Sequence, residues 1–407
     1  MNCGLLGRKL GHSYSPQIHS KLGDYAYRLF EKEPEELKAF LRSGDFTGIN
    51  VTVPYKKAVI PYLDELSPVA QKLGAVNTVI QRSGKLMGHN TDYFGFHSMV
   101  IASGLSVFGK KVLVLGSGGA SNTAVAVLQE LGAEVVVISR SGENNYSSLS
   151  NHKDTAILVN TTPVGMYPDT GISPVDLSLF PKLEGVLDVI YNPARTQLLL
   201  DAESRGLVAM NGLLMLVAQA KESAEWFTGT SLSDSLIPQI HRKLSAQMQN
   251  IVLIGMPGCG KSTVGRLLAK KCGKTFVDAD NKIAELAGKS IPEIFAEDGE
   301  EVFRSLETQA LEALGKQSGL VIATGGGCVT KERNYPLLRQ NGKIFWLQRN
   351  IEALPTHGRP LSQGSDLQKM YTARKPLYEN FADFTVSNNG TFDETVSQIL
   401  GKLEDTL

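Results

Sequence analysis

The stretch that most constrains the fold of this chain runs from Gly255 to Thr263, with the sequence Gly-Met-Pro-Gly-Cys-Gly-Lys-Ser-Thr. It follows an apolar run, 251–254, and leads into an amphipathic segment, 264–271, which together indicate a strand, a loop and a helix. Two glycines separated by four residues and followed by Lys and Ser form the P-loop pattern. Backbone N–H groups in such a loop surround a polyphosphate at the amino end of a helix. The pattern therefore predicts that the second half of the chain binds ATP or GTP.

Each kind of residue in this loop has a predicted task. Lys261 is expected to reach the β- and γ-phosphates, and Ser262 to hold Mg²⁺. Cys259 lies at the predicted amino end of the helix, where thiols are often reactive, so we expect alkylation of Cys259 to block the activity of this half and ATP to protect it. The predicted nucleotide-binding residues are Gly258, Cys259, Gly260, Lys261, Ser262 and Thr263.

Composition limits the classes of protein to which the chain can belong. Its 407 residues are too many for one ordinary core, so we expect two or three domains. The 41 basic and 41 acidic residues balance, which argues against a nucleic-acid partner. The longest apolar run, 213–218, is too short to span a membrane. The four cysteines lack the spacing of a zinc site or disulfide framework, and residues 2–7 do not resemble a secretion signal. We therefore expect a cytoplasmic protein, monomeric or homodimeric, with no membrane partner.

Strand and helix signals alternate along the chain. Apolar runs typical of strands occur at 3–7, 48–53, 111–116, 134–139, 157–160, 185–190 and 207–210, with helical segments between them, as at 34–43, 120–131 and 197–204. Such alternation is typical of α/β folds, in which helices cover parallel sheets. An amphipathic segment with Ile237, Ile240, Leu244 and Met248 on one face directly precedes the P-loop strand. We therefore expect the main domain boundary near Met248.

A second nucleotide motif lies at residues 111–123, KVLVLGSGGASNT. A buried strand, a glycine turn and a helix follow one another, as in the dinucleotide fingerprint, although a tight strand–helix turn alone would give the same pattern. The next strand ends at Arg140 and carries no acidic residue for the ribose of NAD, which favours the 2′-phosphate of NADP. The predicted cofactor residues are Gly116, Ser117, Gly118, Gly119, Ala120 and Arg140.

Polar residues interrupt the apolar pattern at 12–16, 50–56, 74–78 and 88–92. Lys56 and Asp92 are candidates for an acid–base pair, because a lysine can donate a proton that a carboxylate orients. A surface salt bridge is the structural alternative for this pair. Ser15 precedes a proline and could equally begin a helix. Neutral hydrogen bonds to a hydroxylated ligand are expected from Ser13, Ser15, Thr52 and Asn77.

Taken together, these motifs make residues 1 to about 248 resemble shikimate dehydrogenase. The matches are Ser-x-Ser at 13–15, NVTVPYK at 50–56, GAVNT at 74–78, NTD at 90–92, GSGGA at 116–120, DVIYNP at 188–193 and NGLLMLVAQA at 211–220. The resemblance implies a substrate-binding α/β domain (1–105 plus 211–248) and a Rossmann NADP domain (106–210). It also implies NADPH-dependent reduction of 3-dehydroshikimate to shikimate.

The same resemblance implies roles for individual residues. Lys56 and Asp92 would form the catalytic dyad, which protonates the 3-oxygen as hydride arrives. Ser13 and Ser15 would bind the substrate carboxylate. The ring substituents and their surroundings would be contacted by Thr52, Asn77, Asp92, Tyr191 and Gln219. Tyr93 and Phe94 depart from the family pattern, because many members carry glycine there.

Residues 249–407 resemble shikimate kinase, a P-loop α/β domain with a parallel sheet. The matches beyond the P-loop are DAD at 278–280, IPEIF at 291–295, GEEVFRSLE at 299–307, three glycines at 325–327, RPL at 359–361 and RKPLY at 374–378. A turn could explain the first of these, and an i,i+3 helix pair could explain Arg304 and Glu307. The segment between 347 and 359 is shorter than in many relatives and lacks a basic residue often found against adenine.

Kinase roles follow from this second resemblance. Asp278 would join Ser262 at Mg²⁺, and Lys261 with Arg359 would stabilise charge on the transferring phosphoryl group. The shikimate site would be formed by Asp280, Arg304, Gly326, Gly327 and Arg374. In this site the two arginines would clamp the carboxylate with forked donors.

The sequence thus predicts a bifunctional enzyme that acts on 3-dehydroshikimate and then shikimate, using NADP(H), ATP and Mg²⁺. One alternative is an NAD-dependent quinate/shikimate dehydrogenase joined to the kinase. The other is a regulatory protein that only senses these metabolites, which retention of Lys56, Asp92, Lys261, Asp278 and Arg359 disfavours.

Overall fold

A computed structural model describes residues 1–11, 13–354 and 367–405. The chain divides into two compact units, the first being Met1–Val164, Ser173–Tyr191 and Leu198–Lys243, and the second Gly165–Ile172, Asn192–Gln197 and Leu244–Leu407. The division falls inside the helix Leu236–Met248, whose residues Ile237, Ile240, Leu244 and Met248 are all buried, as the amphipathic pattern predicts. The domain bounds drawn from the sequence stay a prediction.

The first unit contains a six-stranded sheet with the order β2-β1-β3-β5-β6-β4. Its strands are β1 (Asn2–Gly7), β2 (Ala26–Glu31), β3 (Gly48–Val51), β4 (Glu65–Leu66), β5 (Thr78–Arg82) and β6 (Lys85–His89). Strand β5 runs antiparallel to both β3 and β6. The other pairs, β1–β2, β1–β3 and β4–β6, are parallel, so the sheet is mixed where the sequence pattern predicted parallel pairing alone. The antiparallel pairing of β5 with β6 follows from the two-residue Ser83-Gly84 connection, which can join only an antiparallel pair.

A second sheet in this unit has five strands, all parallel, in the order β11-β10-β9-β7-β8. They are β7 (Lys111–Leu115), β8 (Glu134–Ile138), β9 (Ile157–Asn160), β10 (Gly185–Asp188) and β11 (Val208–Asn211). Strand order reverses between β7 and β9, and in open parallel sheets this switch point is where ligands bind. The glycine turn after β7 begins at this point.

Eight α-helices lie within the described residues before Asn250. They are α1 (Ser15–His19), α2 (Leu37–Arg42), α3 (Pro68–Leu73), α4 (Asp92–Ala102), α5 (Gly119–Glu130), α6 (Gln197–Ser204), α7 (Leu213–Thr228) and α8 (Leu236–Met248). Helix α4 packs closely on α7, where a Cβ on Gly95 would lie 2.7 Å from the carbonyl oxygen of Met215. Gly95 thus supplies close helix packing one position after Phe94.

The second unit is built on a five-stranded parallel sheet with the order β13-β14-β12-β15-β16. Its strands are β12 (Asn250–Ile254), β13 (Thr275–Asp278), β14 (Leu320–Ala323), β15 (Gly342–Gln348) and β16 (Phe384–Ser387). Strand β12 is central and buried at every position, which is typical of a parallel strand covered on both faces.

The helices that follow in this unit are α9 (Lys261–Cys272), α10 (Ala279–Ala287), α11 (Ile291–Glu297), α12 (Gly299–Gly315), α13 (Asn334–Arg339), α14 (Leu367–Phe381) and α15 (Phe392–Glu404). The predicted strand, loop and helix around the P-loop are confirmed as β12, the turn after Ile254, and α9. Among the described residues, no helix combines the length and apolar character needed to cross a bilayer.

Candidate active sites

Lys56 and Asp92 meet in the first unit although 36 positions separate them in the chain. Nζ of Lys56 lies 2.5 Å from Oδ2 of Asp92, and the two side chains are 29% and 15% exposed. Nδ2 of Asn77 donates to Oδ1 of the same carboxylate at 3.0 Å. The pair is thus largely shielded, and its carboxylate is held from both oxygens, unlike an exposed salt bridge between mobile side chains. This arrangement can hold and deliver a proton.

The fold brings these residues together because each lies at the end of an element. Lys56 follows β3, Asn77 immediately precedes β5, and Asp92 is the first residue of α4. The backbone N–H of Thr91 donates to Oδ1 of Asn77 at 2.7 Å, so the turn before α4 fixes the amide. Gln219 of α7 completes the group, with Oε1 accepting from Oγ1 of Thr91 at 3.4 Å.

Ser13, Ser15 and Thr52 lie at the carboxyl edge formed by two neighbouring strands. β1 and β3 pair in parallel, so the segments after Gly7 and Val51 leave the sheet side by side. Oγ of Ser13 accepts from the backbone N–H of Ser15 at 3.2 Å, and Ser15 is the first residue of α1. His12, part of the same predicted motif, lies outside the described residues.

Tyr191 follows β10, and its ring packs edge-to-face against Tyr14 with the centroids 6.2 Å apart. Burial raises the pKa of the Tyr191 phenol above its ordinary value. The contact joins the loop after β1 to the loop after β10 within the first unit. It places Tyr191 on the same side as the serines.

Sequence reasoning missed Ser223, which lies on α7 near the dyad. Its hydroxyl lies 2.7 Å from Nδ2 of Asn50, 2.9 Å from Oγ1 of Thr78 and 3.0 Å from Oγ1 of Thr91. All four residues are buried. The only sequence signal is the four-residue step from Gln219, which puts both side chains on one helix face. Ser223 thus ties three chain segments to the element that carries Gln219.

The predicted dinucleotide loop lies between β7 and α5. Gly116 has φ +108°, which favours glycine, and a Cβ there would lie 2.8 Å from Oγ1 of Thr161 after β9. By contrast, a Cβ on Gly118 or Gly119 would meet nothing within 4 Å, so this side of the turn is open for close approach by a ligand. Ser117 and Ala120 flank these glycines, and α5 begins at Gly119. Arg140 is the second residue after β8 and is exposed.

In the second unit, the P-loop brings Lys261, Ser262 and Asp278 together. The Lys261 ammonium is buried and donates to the carbonyls of Gly255 and Met256 at 2.9 and 3.0 Å. Oγ of Ser262 donates to Oδ2 of Asp278 at 2.6 Å. Asp278 also accepts from the backbone N–H of Asp280 at 3.1 Å and so caps α10. The hydroxyl and the carboxylate are oxygen ligands of the kind that Mg²⁺ prefers.

Arg304 is buried and paired within α12. Nη1 donates to Oε2 of Glu307 at 2.8 Å, and Nη2 donates to Oε1 of Glu300 at 3.1 Å. The i,i+3 pair that the sequence allowed is therefore present. Glu307 is 0% exposed, and burial raises the pKa of its carboxyl, although the Arg304 guanidinium opposes this shift. Sequence reasoning treated Glu307 only as a possible helix partner of Arg304. It missed that the buried Glu307 carboxylate holds the Arg304 guanidinium in position.

The three glycines after β14 allow side chains to approach the backbone. A Cβ on Gly327 would lie 2.3 Å from both Nη atoms of Arg304, and one on Gly325 would lie 2.7 Å from Oε1 of Glu307. The carbonyl of Gly326 accepts from Nη1 of Arg374 at 3.1 Å. Both predicted arginines therefore converge on this glycine turn, which explains why it contains no side chain.

These residues line one cavity of about 540 Å³. Its lining includes Gly258, Gly260, Lys261, Ser262 and Thr263 of the P-loop together with Asp278. The same cavity is lined by Asp280, Phe295, Arg304, Gly326, Gly327 and Arg374, and by Arg349 and Phe392, which sequence reasoning missed. Arg359 lies outside the described residues.

Cys259 differs from its expected behaviour. The side chain is 0% exposed, and its sulfur packs beneath the loop, 3.0 Å from where a Cβ on Gly255 would lie. The Cys259 carbonyl accepts from Nδ2 of Asn388 at 2.6 Å, which holds this part of the loop. This burial argues against the alkylation of Cys259 that the sequence predicts, because position at a helix amino end does not expose a side chain that points inward.

Comparison with known proteins supports the family resemblances predicted for both halves of the chain. Residues 5–79 match the family of the shikimate dehydrogenase substrate binding domain. A shikimate dehydrogenase (NADP(+)) of Clostridium perfringens is 35% identical over 266 residues, covering 60% of this chain and 98% of the relative. The chain belongs to the shikimate dehydrogenase family. Residues 257–404 match the shikimate kinase family, so a shikimate kinase domain follows.

Solved structures of shikimate dehydrogenases are also similar to the dehydrogenase part of this chain. Shikimate dehydrogenase 1 from Peptoclostridium difficile is 39% identical with a TM-score of 0.56, covering 60% of this chain and 97% of that one. A Thermus thermophilus enzyme solved with shikimate is 33% identical with a TM-score of 0.54, covering 60% of this chain and 98% of that one. The prediction of a dehydrogenase joined to a kinase, both of the shikimate pathway, is confirmed.

Proposed function

We propose that this chain reduces 3-dehydroshikimate to shikimate with NADPH and then transfers the γ-phosphoryl group of ATP to the 3-hydroxyl of shikimate. The reduction rests above all on one observation, the 2.5 Å contact between Nζ of Lys56 and Oδ2 of Asp92. The phosphorylation rests on the Ser262–Asp278 pair beside Lys261 in the P-loop. The domains are proposed to divide near residue 248.

In the reduction, Lys56 donates a proton to the 3-oxygen of the ring while the C3 carbonyl carbon accepts a hydride. Asp92 orients the ammonium, and Asn77 fixes Asp92 through its second oxygen. Because Lys56 is 29% exposed, it can regain its proton from water after each turnover. Ser13 and Ser15 are proposed to bind the ring carboxylate, and Thr52, Tyr191 and Gln219 to contact the ring and its surroundings.

NADPH supplies the hydride when it is bound. The glycine turn after β7 fits a dinucleotide, because Gly118 and Gly119 leave open space where any side chain would stand. The turn also begins at the switch point of the sheet, between β7 and β9. Exposed Arg140 is proposed to contact the 2′-phosphate, a negatively charged group that a guanidinium can bind with paired donors.

In the phosphorylation, the oxygen of the 3-hydroxyl attacks the γ-phosphorus, the bond from this phosphorus to the β,γ-bridging oxygen breaks, ADP leaves, and the hydroxyl proton is released to water. Lys261 and Arg359 are proposed to balance charge on the transferring group, and Asp280 to accept a hydrogen bond from the attacking hydroxyl. Arg304 and Arg374 are proposed to hold the ring carboxylate. Mg²⁺ would screen the phosphate charge when bound, and the hydroxyl of Ser262 with the carboxylate of Asp278 fits this hard cation.

A coupled assay tests the proposal. Wild-type protein with 3-dehydroshikimate, NADPH, ATP and Mg²⁺ should consume NADPH and then form ADP. Lys56→Ala should lower the reduction rate by orders of magnitude and leave phosphorylation of added shikimate intact, whereas Lys57→Ala at the exposed neighbour should leave both rates unchanged. Asp278→Asn should lower the rate of shikimate phosphorylation and leave the reduction rate intact, because asparagine keeps the helix cap but loses the charge.

Several outcomes would contradict the proposal. A wild-type rate of 3-dehydroshikimate reduction in Lys56→Ala would refute the proposed role of the dyad. Absence of both activities in the wild-type protein would refute the proposed function. Comparison of NADPH with NADH, and of 3-dehydroshikimate with 3-dehydroquinate, decides between the proposal and an NAD-dependent quinate/shikimate enzyme.

A further inference from the structure

The side-chain amide of Asn77 must face one way for it to hold the carboxylate of the dyad. Its Nδ2 donates to Oδ1 of Asp92 at 3.0 Å. If the amide turned by half a rotation, it would present its oxygen to the carboxylate, and two groups that only accept hydrogen bonds would repel each other. The amide has nearly the same shape in both orientations, so only its hydrogen-bond partners can fix it.

Both ends of this amide contact Thr91. The backbone N–H of Thr91 donates to Oδ1 of Asn77 at 2.7 Å, and Nδ2 of Asn77 donates to Oγ1 of Thr91 at 3.0 Å. The Thr91 hydroxyl then has one proton of its own to donate. Oγ of Ser223 is its nearest partner at 3.0 Å, whereas Oδ1 of Asn77 and Oε1 of Gln219 are 3.2 and 3.4 Å away.

The hydroxyl of Ser223 is arranged to accept that proton. It donates its single proton to the carbonyl of Gln219, one turn earlier on α7, at 2.9 Å. The neighbouring hydroxyls of Thr78 and Thr91, at 2.9 and 3.0 Å, can then only donate to it. The Thr91 hydrogen is thereby directed to Ser223, and the Thr91 oxygen is left facing Nδ2 of Asn77.

A second amide fixes the same polarity from the other side. Oδ1 of Asn50 accepts from the hydroxyl of Tyr27 at 2.8 Å, so its Nδ2 points to Ser223 and donates to Oγ at 2.7 Å. Ser223 is therefore held as an acceptor by a group that carries no acceptor at that position. The directions of the hydrogen bonds are thus set from Tyr27 through Asn50 and Ser223 to Thr91.

Burial makes these partners hard to replace. Ser223, Thr78 and Thr91 are each 0% exposed, so a partner that is removed leaves a polar group without solvent to satisfy it. We propose that Ser223 is a positioning residue for the dehydrogenase reaction. By accepting the proton of Thr91 it keeps the amide of Asn77 turned toward Asp92, and so keeps the carboxylate where it orients Lys56. The inference rests on the proposed reduction of 3-dehydroshikimate.

Removal of the hydroxyl tests this role. Ser223→Ala should lower kcat for the NADPH-dependent reduction between about tenfold and a hundredfold, the usual effect of losing a hydrogen bond to a charged group. The KM for NADPH and the rate of shikimate phosphorylation by the same preparation should not change. Ser98→Ala on α4 is the matched control, because Ser98 also donates to a carbonyl one turn earlier, that of Phe94 at 2.8 Å. It should leave kcat unchanged.

A second background decides whether Ser223 acts through the amide. In an Asn77→Ala chain there is no amide to orient, so adding Ser223→Ala should have little further effect on kcat. A general packing defect would lower kcat by the same factor in both backgrounds. Ser223→Cys keeps nearly the same volume, but a thiol is a weak donor and acceptor, so it should lower kcat as alanine does.

Two results would overturn the inference: a wild-type kcat in Ser223→Ala, or equal losses from Ser223→Ala in the wild-type and Asn77→Ala backgrounds. Failure of the proposed function is distinguishable, because wild-type protein would then not reduce 3-dehydroshikimate. A crystal structure of Ser223→Ala would still test the inference in that case. Nδ2 of Asn77 should move out of hydrogen-bonding range of Oδ1 of Asp92, and an unchanged distance would refute the role of Ser223.

Discussion

Replacement of Gly327 by alanine should displace the guanidinium of Arg304 and slow the kinase reaction. A methyl group there would lie 2.3 Å from both Nη atoms of Arg304 and 2.5 Å from Cζ, closer than real Cβ contacts. Gly327 has φ −104°, so alanine strains no backbone, and the three atoms nearest the new methyl group all belong to the Arg304 guanidinium. The guanidinium must therefore move in Gly327→Ala.

The expected cost follows from how Arg304 is held. The residue is 5% exposed, and its guanidinium is fixed by Glu307 at 2.8 Å and Glu300 at 3.1 Å. Reaching ordinary van der Waals separation requires a shift of roughly 1 Å, and a misplacement of that size at a site can cost about 10²-fold in rate. We expect kcat/KM for shikimate to fall about 10²-fold. If the shift also breaks the buried pair, unfolding stability falls by about 3–5 kcal/mol.

Kinase assays at saturating ATP would measure this fall, with the NADPH-dependent reaction of the same preparation as an internal standard. Gly401→Ala is the matched control, because a Cβ there meets nothing within 4 Å and the residue lies inside α15. It should leave kcat/KM unchanged and stabilise the helix by up to about 1 kcal/mol. A Gly327→Ala enzyme within threefold of wild type would show that the position of Arg304 does not matter for shikimate.

Two further predictions concern other buried groups. Because Cys259 is fully buried, iodoacetamide should leave kinase activity unchanged while the protein is folded, and mass spectrometry should find Cys259 unmodified; rapid labelling with loss of activity would contradict this burial. His19 is also buried, and burial lowers the pKa of its imidazole from 6.5 to about 3. The unfolded chain therefore binds a proton that the folded chain does not, so stability of the first unit should fall as the pH drops from 6.5 toward 3, by up to about 1.4 kcal/mol per pH unit. Urea unfolding followed by Trp226 in a Trp346→Phe background should show this slope, and His19→Gln should flatten it; an equal slope in both proteins would refute it.

Local pattern was enough for much of the architecture. The P-loop and the glycine turn after β7 lie where the sequence predicts, because glycine at a left-handed position and apolar runs of strand length are signals confined to a few neighbouring residues. The same holds for α8, where the buried face of Ile237, Ile240 and Leu244 follows directly from spacing. Family motifs then supplied the roles proposed for Lys56 and Asp92.

Other features depended on contacts between distant segments. The strand signals in the sequence did not include β5 or β6, and the antiparallel course of β5 is set by its pairing with β3 and β6. Ser223 touches residues between 132 and 173 positions away, and no spacing rule connects them. Whether Cys259 faces solvent or the core was likewise decided by packing rather than by its place in a motif.

The sequence by itself therefore determined which chemistry this protein can carry: two glycine turns for two nucleotides, a lysine with a carboxylate, and arginines for an acid. Only the tertiary structure decided which side chains hold those groups in position, as Asn77 holds Asp92 and Glu307 holds Arg304. The physical reason is range. Glycine conformation and strand or helix period are set by near neighbours, whereas burial, pairing and cavity walls are set by segments that meet only when the chain has folded.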